Sequence, residues 1–149
     1  MAKKKSFGQY KNGLEKYCGD SLKEHGYSFV YEPQYILVEG FNYPSEHFKS
    51  VPKKPELVNV TGKKTLPIKY KPDFFLEEEK VFVETKGFIR ANDSFPLRWK
   101  LFLRFLIESG MSDHAVFIPK NKKQVDEIIT YLNNRRNLTN YQGFIIFRA

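Results

Sequence analysis

Asp73, Glu84 and Lys86 stand within one stretch, Tyr70 to Gly87, written YKPDFFLEEEKVFVETKG. If the two apolar runs that carry them pair as strands, two carboxylates and an amine face one gap. Magnesium prefers oxygen ligands, keeps several of its waters, and is held by one or two carboxylates together with substrate phosphate. Asp73 and Glu84 suit that role, with the Thr85 backbone carbonyl as a further ligand. A cation there would lower the pKa of its water and polarise a phosphate during in-line displacement. Lys86 would orient the attacking water or offset the charge that develops in the transition state.

The pleat supplies the geometry. Side chains alternate along a strand, so Glu84 and Lys86 share one face with Phe82, while Val81, Val83 and Thr85 take the other. The upstream run Ile68 to Leu76 is rich in β-branched and aromatic residues, and Glu77-Glu78-Glu79 reads as the polar turn between the runs. A turn centred between Glu78 and Glu79 places Asp73 opposite or diagonal to Glu84 on the same face. A solvated hairpin with an exposed cross-strand ion pair fits the same spacing and would contribute at most about 1 kcal/mol.

The elements that must hold this hairpin are legible on either side. A first helix is predicted from Asn12 to His25, with Leu14, Cys18 and Leu22 as its apolar stripe and Gly26 as its stop. Asn12 is placed as an N-cap and Glu15 as the capping-box carboxylate three residues on. The same position, beside Leu14 at the stripe's edge, also suits a Glu aimed into a metal site, and the spacing supports both readings. Tyr27 to Glu32 and Tyr35 to Phe41 read as strands around Pro33. Asn42 to Pro67 is an irregular basic insertion, with a short strand over Leu57, Val58 and Val60. A second helix spans Pro96 to Ser109, with more large apolar residues than one stripe needs, so it is buried on more than one side or meets a partner. His114 to Pro119 is a buried strand, Lys122 to Asn133 a third helix, and Gly143 to Arg148 a closing strand.

Composition narrows the partners. With 149 residues, 25 Lys plus Arg against 17 Asp plus Glu, and a formal charge of +8, the chain favours a polyanion. Residues 1–6 read as a flexible basic arm and residues 7–149 as a single domain. Lys3, Lys4, Lys5, Lys11, Lys53, Lys54, Lys71, Arg90 and Arg98 are the candidate DNA contacts; a solvated basic face is the alternative for each. Cys18, the single cysteine, is expected to be a core thiol rather than a nucleophile. The three histidines lack zinc spacing. There is no Walker-type loop and no nucleophile elbow. No apolar run reaches the ~20 residues that span a bilayer, and Met1 to Lys5 leads into no apolar stretch, so a cytoplasmic protein without a membrane partner is expected.

The motifs NGLEKY, YSFVYE, YKPDFF and VFVETKG, in that order, make the chain resemble the PD-(D/E)XK nuclease superfamily, and within it the bacteriophage endonuclease I type of Holliday-junction resolvase. The resemblance spans most of Phe7 to Phe147. It implies an α/β, restriction-endonuclease-like core, a central mixed sheet flanked by helices in the order α-βββ(β)-α-β-α-β. It implies a catalytic set of Glu15, Asp73, Glu84 and Lys86, using Mg2+ with Mn2+ as a substitute, that hydrolyses phosphodiesters of branched DNA. Further implications are a homodimer, intertwined in the family, whose sites combine Glu15 of one chain with Asp73, Glu84 and Lys86 of the other. A PD-(D/E)XK enzyme acting on linear or nicked DNA is the alternative within the class, and a non-catalytic DNA-binding module is the alternative outside it.

Overall fold

The structure, a computed structural model, describes residues 6–145. Its elements, in chain order, are helix α1 (Gly13–Glu24), strands β1 (Val30–Tyr31), β2 (Tyr35–Val38), β3 (Phe48–Lys49), β4 (Val58–Asn59), β5 (Ile68–Tyr70), β6 (Phe74–Leu76) and β7 (Val81–Val83), helix α2 (Phe95–Glu108), strand β8 (Ala115–Phe117) and helix α3 (Lys122–Ile145). They divide into two compact units. Among the described residues, 6–33 join with 71–145, and Gln34–Tyr70 forms the other unit.

The larger unit is α/β, built on a mixed sheet in the order β1-β6-β7-β8. β6 and β7 form the expected hairpin, with Leu76 opposite Val81 and Phe74 opposite Val83. That register centres the turn between Glu78 and Glu79, and the next positions along are Asp73 and Glu84. β8 lies parallel to β7, a relation that needs a crossover, and α2 supplies it. Glu84 N–H donates to the Phe117 carbonyl and Lys86 N–H to that of Pro119, both at 2.9 Å, so the ladder continues past the last regular pair.

Both faces of this sheet are covered. Phe74, Leu76, Val81 and Val83 pack with Cys18 and Leu22 of α1 and with Val125, Ile128, Ile129 and Leu132 of α3 in one buried cluster. On the opposite face Phe75 stacks on Phe82 at 4.3 Å, and Phe102 of α2 meets Phe82 edge-on at 5.2 Å. A strand buried on both faces reads as an unbroken apolar run, as VFV does here.

The first helix follows its sequence signals: the Asn12 side chain accepts from the Glu15 N–H at 2.9 Å. At the other end Gly26, at φ +79°, takes the left-handed turn that lets Tyr27 N–H reach the Leu22 carbonyl at 2.9 Å. α2 begins at Phe95, beside Pro96, and ends at Glu108 with Ser109 as its cap before Gly110, one residue from the expected span at each end. It buries Phe95, Phe102 and Leu106 but leaves Leu97, Leu103 and Ile107 exposed.

Three expectations need correction. The closing strand over Gly143 to Arg148 does not form at 143–145, where α3 continues to Ile145; residues 146–148 lie outside the described residues. Nothing in the local pattern stops the helix at Asn133, since Asn133-Arg135 carries neither Gly nor Pro. The run Ile68 to Leu76 is two strands, with Lys71-Pro72-Asp73 between them, because Pro72 cannot donate to a ladder. β5 pairs with β2, whereas β6 belongs to the central sheet. The insertion is also more regular than expected, since β3 and β4 pair within it, Phe48 opposite Asn59 and Lys49 opposite Val58. The Gln34–Tyr70 unit thus consists of two antiparallel ribbons.

Candidate metal centre

Glu15 enters the site from the first turn of α1. It is only 2% exposed, and the Tyr31 hydroxyl donates to its Oε1. Of the two roles open to Glu15, its backbone takes part in the cap through Asn12, while its carboxylate turns inward to Tyr31. Tyr31 is itself fixed: its ring lies edge-on to Tyr10 at 5.3 Å and tilted against Phe74 at 5.7 Å. Burial, and then the hydrogen bond to Glu15, push the Tyr31 hydroxyl pKa upward, so it stays a donor.

Asp73 precedes β6 and is buried. Its Oδ2 accepts from both the backbone N–H and the hydroxyl of Thr85, each at 2.7 Å. Burial pushes its pKa up to about 6; the Glu15 charge adds to this and the Thr85 hydrogen bonds oppose it. A buried carboxyl that resists ionising beside the Glu15 charge is what a cation would relieve. Cys18 lies close enough to both for their charges to reinforce the effect of burial, which pushes its thiol up to about 12. It is the inert core thiol expected.

The third carboxylate is Glu32, which sequence reasoning passed over. It follows β1 with φ +51°, a left-handed backbone that costs a non-glycine residue on the order of 1 kcal/mol. Its N–H donates to the Asp73 carbonyl at 2.9 Å, tying the two segments together. Oxygens of Glu15, Glu32 and Asp73 come within 4.8 Å of one another, and the group could hold a metal ion. An all-carboxylate set suits a hard divalent cation such as Mg2+ rather than a soft one. Glu32 did carry a signal, the YE pair of YSFVYE just before Pro33, but its side chain is aimed by a positive φ, which strand alternation cannot anticipate.

The remaining members of the expected set are placed nearby but not at that point. Glu84 was expected to share a gap with Asp73. Instead its Oε2 accepts from the Asp73 backbone N–H at 3.0 Å, while the Asp73 carboxylate is held by Thr85, which was expected on the opposite face. The reason is that the regular ladder ends at the Phe74 and Val83 pair, so Asp73 is not bound by the pleat. Thr85 takes part through its N–H and hydroxyl. Lys86 lies on the α2 side, its Nζ 3.7 Å from Asp93 Oδ2 and 4.7 Å from the centre of the Phe95 ring. The Asp93 carboxyl is held below its ordinary range first by the Phe95 N–H and then by Lys86.

No family model, curated protein or solved structure matches this chain. The chemistry of the site therefore rests on its own residues.

The candidate DNA contacts scatter. Lys3, Lys4 and Lys5 lie outside the described residues. Lys53, Lys54, Lys71 and Arg90 are exposed, Arg98 is half-buried, and Lys11 is paired with Glu32 at 2.5 Å. Among the described residues no helix is long and apolar enough to cross a membrane.

Proposed function

We propose that this protein is a magnesium-dependent endonuclease of the PD-(D/E)XK type that hydrolyses DNA phosphodiesters, with branched DNA as its substrate. The observation that carries the reading is the convergence of Glu15, Glu32 and Asp73 at the end of β7, where the strand runs into Glu84, Thr85 and Lys86. Glu15 and Asp73 would hold the cation, with Glu32 as a third ligand. The cation would supply a water of lowered pKa and a Lewis acid for the phosphate.

The chain's own residues supply the rest. Tyr31 fixes the Glu15 carboxylate, and Thr85 fixes one oxygen of Asp73 with two donors. Glu84 clasps the Asp73 backbone, so a change at Glu84 shifts Asp73. Lys86 would turn from Asp93 toward the phosphate and offset the charge that develops there. The +8 charge of the chain supports a polyanionic substrate.

A homodimer belongs to the same proposal. Ile36, Phe41, Tyr43, Phe48, Leu57 and Leu66 of the Gln34–Tyr70 unit are exposed, and a second copy would cover them.

The test is cleavage of a labelled four-way junction beside a linear duplex of the same sequence, with and without Mg2+. Paired, magnesium-dependent cuts near the branch are expected. Equal cutting of the duplex would make the protein a general nuclease, and tight binding without cleavage would make it a DNA-binding module.

A further inference from the structure

Lys11 lies one residue before the cap of α1, and its Nζ stands 2.5 Å from Glu32 Oε1. The lysine side chain is 65% exposed and the Glu32 side chain 20%, so the pair sits at the mouth of the carboxylate cluster. Its pKa is raised first by the Glu32 hydrogen bond, opposed by partial burial, and raised further by the charges of Glu32, Glu15 and Asp73. The amine thus feels all three acids while touching one.

Three carboxylates with oxygens within 4.8 Å repel one another, and a nearby ammonium lowers that cost. A divalent cation bound by the same oxygens does the same work at closer range. We propose that Lys11 is the resident counter-cation of the Glu15, Glu32 and Asp73 cluster and that a divalent cation binds by displacing it from Glu32. The proposal rests on the metal-site reading above and gives it a built-in competitor. It has a sign that a supporting role lacks: removing the amine weakens the protein without its cation and strengthens cation binding, because the attraction to be surrendered is gone.

The experiment is calorimetric titration of Mg2+ into chelator-stripped full-length wild type, Lys11→Met and Lys11→Arg, with melting curves of each in chelator and in Mg2+. Lys11→Met should bind Mg2+ roughly three- to tenfold more tightly than wild type, the scale of one partly exposed ion pair. It should melt lower than wild type in chelator and gain more on adding Mg2+. Lys11→Arg, which keeps the charge, should stay within about twofold of wild type by the same scale. Wild type that binds Mg2+ while Lys11→Met binds it equally or more weakly overturns the role of Lys11 alone. Wild type that melts cooperatively but binds neither Mg2+ nor Mn2+ overturns the metal-site reading and this proposal together.

Discussion

Asp73 shows how the site sets function against stability. Its pKa, about 6 in the fold, exceeds its ordinary value of 3.8, so between those two limits the folded state binds more protons than the unfolded chain. Stability therefore falls as pH rises through that window, by on the order of 3 kcal/mol in all. Asp73→Asn should remove that slope and make the protein more stable at pH 7.5, as read from urea unfolding at pH 4.5 and 7.5. Mg2+ should raise the melting temperature of wild type at pH 7.5 and leave Asp73→Asn unchanged. An equal pH slope in the two proteins would place the titrating group elsewhere. Lys86 makes a separate prediction: Lys86→Ala should lose cleavage by about a hundredfold or more while keeping Mg2+ binding, since its amine faces Asp93 and not the carboxylate cluster. Full metal-dependent cleavage by that variant would falsify its assigned role.

At the scale of elements, α1 is shaped by what it must let past. A Cβ on Gly19 would lie 2.3 Å from the Tyr10 hydroxyl, and the buried Tyr10 ring cannot retreat freely because it packs on Tyr31 and Phe74. By helix propensity alone Gly19→Ala would gain about 1 kcal/mol. The close approach reverses the sign, and a net loss of about 1–3 kcal/mol is expected from chemical denaturation. Displacing Tyr10 also loosens the ring that orients Tyr31 against Glu15, so Mg2+ affinity should fall in the same variant. The helix itself was readable from Asn12, the apolar stripe and Gly26. The reason for Gly19 was not, because Tyr10 lies outside the helix.

The whole molecule carries a charge of +8 and a set of apolar residues left exposed. Leu97 and Ile107 of α2 are each more than 60% exposed, so its excess apolar residues are not all buried within the described chain. Sedimentation of the full chain should show a dimer that dissociates on dilution, and Phe41→Glu should shift it toward monomer. Binding to DNA should weaken steeply with salt, with a log–log slope of several units as condensed counterions are released. A shallow slope would remove the basic surface as the contact area.

What the sequence by itself determined is local: the cap at Asn12, the Gly26 stop, the span of α2 and the hairpin centred on Glu78 and Glu79. Each is set by residues within a few positions of one another, and so is the pairing that brings Asp73 next to Glu84. The tertiary structure alone decided which carboxylates meet. Glu15 arrives from a helix, Glu32 from the end of β1 with its backbone turned to φ +51°, and Asp73 from the break before β6, three segments far apart in the chain. Strand periodicity fixes a face only where the ladder is regular, and here the chemistry gathers where the ladder ends. The continuation of α3 past Asn133, by contrast, was open to local reading, since no Gly or Pro marks a stop there and the helix runs on.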